Sequence, residues 1–153
     1  MRRAERERGA EFALEILKKS EYATLSTVSA DGEPYGVPVH IVVLNGAIYF
    51  HCAAEGHKLD NIAANPNVCV SAVGEMRLVP ENFTTRYESA IAFGRCALVT
   101  DAEEKHAALV AICEKFTPVG AEKIASVVER TLEKTGICRV TIERITGKQN
   151  EGE

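Results

Sequence analysis

The residues with the clearest capacity for chemistry lie between Gly46 and Pro66, in the stretch GAIYFHCAAEGHKLDNIAANP. Ala47 to Cys52 has the β-branched and aromatic content of a strand, and Leu59, Ile62 and Ala63 then recur at the spacing of one helical face. Gly56 stands where the period changes, followed by the basic pair His57-Lys58. A glycine there lets a ligand approach the backbone, and the first N–H groups of a helix have no partner within it and point at an anion. The spacing therefore predicts a site for a phosphate-like anion. A surface turn with two solvated basic residues fits the same pattern.

Other chemistries find less support. His51, Cys52 and His57 are near one another in sequence, but neither CxxC nor HxxxH spacing is present, and neighbours on a strand point to opposite faces, so no metal site is assigned. A nucleophilic Cys52 would need an electropositive setting, and the simpler reading of Cys52, Cys69, Cys96, Cys113 and Cys138 is that of small buried hydrophobes. GxxxxGK[ST] and GxGxxG are both missing, which disfavours a nucleoside triphosphatase and a dinucleotide-binding βαβ unit. Ser26 and Thr27 would add hydroxyls to an anion site if their strand neighbours the glycine loop.

The elements that must position these residues follow from pattern. Residues 4–20 predict an amphipathic helix with Phe12, Ala13, Ile16 and Leu17 on its apolar stripe. Tyr22–Ser29 predicts a strand, turned at Ala30-Asp31-Gly32, and Pro34–Leu44 a second, with Pro38 confining it to an edge or bulge. Asn45-Gly46 turns the chain into the strand at Ala47–Cys52. Val68–Val73 reads as a fourth strand, Gly74–Phe83 is mixed, and Tyr87–Thr100 is a long strand in which Gly94 marks a bulge or close approach. Thr100-Asp101-Ala102-Glu103 matches a capping box that opens a helix ending at Thr117-Pro118. A second helix spans about 121–133 with Gly136 as its cap, and Cys138–Ile145 is a last strand before a polar tail at about 149–153. Strands and helices do not alternate, which excludes a doubly wound sheet and favours a mainly β, antiparallel barrel with peripheral helices.

With 153 residues the chain predicts a single domain, 1–153. No apolar run approaches the ~20 residues of a membrane span, and the Arg-rich start lacks the apolar segment of a secretory signal. An odd number of widely spaced cysteines suits a reducing compartment, so a cytoplasmic location is expected. A net charge of −4 offers nothing to attract a nucleic-acid backbone.

Taken together, ATLSTVSADGEPYGVPVHIVVLNG and YFHCAAEGHKLDNIAANPNVCVSA resemble the pyridoxamine 5′-phosphate oxidase-like FMN-binding split barrels, and within them the nitroimidazole-resistance branch. The resemblance covers about residues 10–148, including Ile145-Thr146-Gly147-Lys148. It implies an antiparallel split barrel and a homodimer holding FMN at its interface. Residues it would place at the cofactor are Leu25, Ser26, Thr27, Val37, Pro38, Val39 and His40 on the first two strands, His51 and Cys52 on the third, and His57 and Lys58 in the glycine loop. Gly94 would help to close the site from the other subunit. Reduction of a small electron-poor compound such as a nitroimidazole is the implied activity, with His51, then His40, as proton donor. Arg139, Arg144 and Lys148 do not form the R-x-H-like ending of true pyridoxamine phosphate oxidases, so that substrate is not assigned. The alternative is a non-catalytic flavin or haem carrier or sensor on the same barrel, and a plain interaction domain would carry no chromophore.

Overall fold

The structure, a computed structural model, describes residues 2–152. After a 3-10 turn at Ala4–Arg6 come β1 (Glu7–Arg8), α1 (Ala10–Lys19), β2 (Tyr22–Val28), β3 (Pro34–His40), β4 (Val42–Leu44) and β5 (Ala47–Cys52). They are followed by α2 (His57–Ala64), β6 (Asn67–Val79), β7 (Thr84–Leu98), α3 (Ala102–Phe116), α4 (Ala121–Thr131) and β8 (Gly136–Asn150). Seven strands run in the order β3-β2-β6-β7-β8-β5-β4, and β1 pairs with β8 outside that path. Every pairing is antiparallel. The long strands β6, β7 and β8 coil the sheet into a split barrel with the helices on its periphery, as expected for a mainly β chain.

The two tight turns have the chemistry their sequences advertise. Asn45 and Gly46 both take positive φ, 49° and 78°, the conformation that joins β4 to β5 with the strands' own twist. The β2–β3 hairpin closes through Gly32, whose N–H donates to the Ser29 carbonyl. Pro38 is accommodated because β3 is an edge strand, and its partner across the ladder is Thr24. Gly94 combines bulge and close approach: the β7–β8 register shifts between Phe93 and Gly94, and a Cβ there would lie 2.1 Å from the Thr141 carbonyl oxygen.

Several boundaries differ from the sequence reading, each for a physical reason. The first helix begins at Ala10, not residue 4, because the alternating charges before Phe12 supply no apolar stripe. Glu7–Arg8 instead covers the edge that β8 leaves open opposite Lys148 and Gly147. The predicted strand 34–44 breaks at Ile41, which is fully buried, so β3 and β4 end up at opposite ends of the sheet. The mixed run after Val73 continues β6 to Val79 across a bulge. Asp101, not Thr100, caps α3: its carboxylate accepts from the Glu104 N–H at 2.8 Å. Gly136 opens β8 rather than capping α4, since a Cβ there would meet the Cys52 sulfur at 2.7 Å. The expected tail is strand as far as Asn150, a buried side chain whose amide donates to Thr84 and to the Thr85 carbonyl.

Two apolar cores result. Inside the barrel, Leu25, Ile48, Phe50, Val70, Ala90, Ala92 and Val140 pack with Ala13, Ile16 and Leu17 of α1. On the outside of β4, β5 and β8, Val42, Tyr49 and Ile137 are covered by Leu109 and Ile112 of α3 and Ile124 and Val128 of α4.

Candidate functional site

β5 alternates, and the alternation separates the two residues the sequence singled out together. Cys52 points inward with Ile48 and Phe50, is buried, and lies 3.8 Å from the Cys138 sulfur. That hydrogen bond and burial push its thiol above the ordinary thiol range, the reverse of what a thiolate nucleophile requires. His51 points outward and is exposed. The surrounding protein still displaces enough water to hold the imidazole below its ordinary value, and the charges of His40 and Lys58 push it further down. The groups that act on His51 therefore lie on two elements, β3 and α2.

α2 supplies the remaining donors. Its first turn follows Gly56, whose φ of 141° is a conformation that glycine adopts freely, and no side chain caps the helix start. The N–H groups of Leu59 and Asp60 already bond to the Gly56 carbonyl, which leaves those of His57 and Lys58 at the free end. α2 is fixed against β2 by Asn61, which is buried and donates to the Thr27 hydroxyl at 3.0 Å, while that hydroxyl donates to the Tyr35 carbonyl at 3.4 Å. The His57 ring meets Tyr35 edge-on at 4.6 Å. Neither Asn61 nor Tyr35 was singled out from sequence. Tyr35 was legible as the start of the inward alternation Tyr35, Val37, Val39, whereas a mid-helix Asn carries no such signal.

The other expected site residues are distributed as follows. Leu25 is fully buried and Thr27 nearly so, whereas Ser26 is half-buried on the opposite face of β2. Val37 and Val39 lean on the inner core, while Pro38 and His40 face outward and are exposed. Gly94 sits on β7, separated from β5 by β8 in the sheet order. The side chains that act on His51 are thus His40 of β3 and Lys58 of α2, while His57, which precedes Lys58 at the glycine loop, packs on Tyr35. Among the described residues no group of three His, Cys, Asp or Glu is placed to hold a metal ion, and no helix is long and apolar enough to cross a membrane.

The family model described as pyridoxamine 5′-phosphate oxidase matches residues 10–149, nearly the whole chain. This chain belongs to the pyridoxamine 5′-phosphate oxidase family. Solved structures agree on the fold. A conserved hypothetical protein of Mycobacterium tuberculosis superposes with a TM-score of 0.84 at 19% identity, over 98% of this chain and 90% of that one. A candidate 5-nitroimidazole antibiotic resistance protein of Bacteroides thetaiotaomicron gives 0.76 at 24% identity, over 92% and 84%. A FAD and haem binding protein of Mycobacterium smegmatis gives 0.78 at 21% identity, over 94% and 72%. No curated protein matches the sequence significantly. In this family member the three basic residues that follow Ile137 already have partners. Arg139 bonds to the Glu104 carboxylate at 2.9 Å, Arg144 lies 4.2 Å over the Phe93 ring, and Lys148 lies 5.6 Å over Tyr87.

Proposed function

We propose that this family member is a cytoplasmic FMN-binding oxidoreductase that reduces a small electron-poor compound such as a nitroimidazole, working as a homodimer with the cofactor at the subunit interface. The observation that carries the reading is the cluster of two imidazoles, His40 and His51, and the Lys58 ammonium beside the uncapped start of α2. A desolvated imidazole beside a second imidazole and an ammonium is a poor arrangement without a ligand and a good one around a phosphate. The donor set fits FMN. Lys58 and the first N–H groups of α2 would hold the phosphate, and His51 would donate to it or hold a proton at the cofactor's margin. The flavin, when bound, supplies the electron transfer. Val37, Pro38 and Val39 would present backbone to the ring system from the edge strand β3.

The homodimer has its own support. Val73, Ile91 and Phe93 lie outward on the paired strands β6 and β7 and are exposed, as are Met76 and Leu78 further along the same arm. Phe83, at the tip, is 99% exposed. Apolar side chains gathered on one sheet face are characteristic of an association surface. Five free thiols suit the cytoplasm. The similarity to a FAD and haem binding protein favours a second reading, a flavin or haem carrier on the same scaffold that does not turn over.

The absorption spectrum of the purified protein is the test. Flavin bands in the blue and near ultraviolet, with NAD(P)H oxidation on addition of a nitroimidazole, are expected. Flavin bands without turnover favour the carrier, a Soret band favours haem, and a colourless protein that fails to quench added FMN would sink both readings.

A further inference from the structure

The end of α3 reaches the candidate site although α3 belongs to the other core. Phe116, the last residue of the helix, stacks on His40 with ring centroids 4.4 Å apart and planes only 10° from parallel. Its neighbour Lys115 holds its amine 5.1 Å from the centre of the same ring and donates to two backbone carbonyls, Ser20 at 2.6 Å and Ile41 at 2.8 Å. Ser20 ends α1, and Ile41 directly follows His40. One dipeptide therefore grips His40 twice: by its ring, and by the carbonyl of the next residue, where β3 leaves the sheet.

The contacts are costly enough to need a reason. Lys115 is half-buried, and burial lowers the affinity of its amine for a proton. Two carbonyl acceptors compensate for lost water, as a buried ammonium requires. Without that clamp, His40 would be an exposed histidine at the end of an edge strand, free to sample several rotamers.

We propose that Phe116 and Lys115 are positioning residues that fix the His40 imidazole at the margin of the anion site, so that the α3–α4 insertion between β7 and β8 controls the geometry of a group in the phosphate-binding cluster. The proposal rests on the functional reading above for its consequence in FMN binding, but not for its structural one. Phe116 acts through His40 and touches neither cofactor nor substrate itself. A displaced imidazole would lose its charge-assisted hydrogen bond to the phosphate, which sets the scale of the effect at about ten- to a hundredfold in FMN affinity.

Two experiments test it. In NMR spectra of the cofactor-free protein, the carbon-bound protons of the His40 imidazole should carry a ring-current displacement. Phe116→Leu should remove it, Phe116→Tyr should restore it, and Lys115→Met should shift the same resonances while those of His106 stay put. Unchanged His40 resonances in both Phe116→Leu and Lys115→Met overturn the positioning claim. In FMN titrations followed by fluorescence quenching, Phe116→Leu should weaken binding by about ten- to a hundredfold, and add nothing to His40→Asn in the double variant. Additive losses would mean that Phe116 acts independently of His40 and would overturn the proposal. A protein that binds no flavin removes the functional reading, and the NMR result then still decides whether the clamp exists.

Discussion

Tyr49 and His51 stand two residues apart on the same face of β5, yet their surroundings are opposite. Tyr49 is buried under α3, and its hydroxyl donates to Glu104 at 2.7 Å, which in turn is paired with Arg139. His51, one strand repeat further on, is exposed, and the charges that reach it are those of His40 and Lys58. At Tyr49 every polar group has a partner of its own chain and the carboxylate balances the guanidinium. His51, His40 and Lys58 make no ion pair with a carboxylate among the described residues. The strand contributes the same geometry to both positions, so the difference lies in where the helical layer stops. A binding site can thus be made by leaving the end of a strand uncovered.

The largest effect that would sharpen this contrast is on folding. Ile137 pairs with His51 across the ladder but is fully buried beneath the helices. Ile137→Ala should cost about 2–5 kcal/mol by cavity formation, while His51→Ala should change stability by no more than about 0.5 kcal/mol. Urea unfolding of both variants measures this, and equal costs would mean that His51 is not at an open site.

Binding should show the reverse order. Lys58→Ala is expected to weaken FMN by about 1.5–3 kcal/mol, the range for a hydrogen bond to a charged group, whereas Ile137 lies outside the donor set. Unchanged FMN affinity in Lys58→Ala, read by fluorescence quenching, would place the phosphate elsewhere. On the covered side, Tyr49→Phe should cost about 1 kcal/mol of stability through the lost hydrogen bond to Glu104 and leave FMN binding untouched. A change in flavin affinity would show that the two ends of β5 are coupled.

The smallest effect is on pH. His51 has a folded value below its ordinary 6.5, so the unfolded chain holds that proton more tightly. The stability contributed by neutral His51 is therefore complete above about 6.5 and is lost as pH falls from there through the folded value. A bound phosphate should oppose this loss, because it favours the imidazolium. Thermal melts of the cofactor-free protein between pH 5 and 8 should show the slope, and His51→Gln should flatten it.

Much of this arrangement was legible in sequence because it is local. The two turns, the edge position of Pro38, the bulge at Gly94 and the opposite facing of His51 and Cys52 each follow from a few adjacent residues and the period of a strand. What was misjudged depended on partners far along the chain. The sequence gives no sign that Ile41 would dive into the core and split one strand into two, or that Glu7–Arg8 would cover an edge of β8. Phe116 was legible only as part of an apolar helix face, since nothing near it in sequence indicates a histidine 76 positions away.

By itself, then, the amino-acid sequence determined the strand and helix periods, the glycine turn before His57-Lys58 and the family pattern across residues 10–149. Only the tertiary structure decided which polar residues share a site. Side-chain direction is fixed by backbone period, but coverage depends on how far α3 extends over β5, and that is set by packing of Leu109, Ile112, Ile124 and Val128 on a sheet face built from distant strands. The stretch 46–66, which already held His51 and His57, gained His40 from β3 and the Phe116–Lys115 contacts from the end of α3.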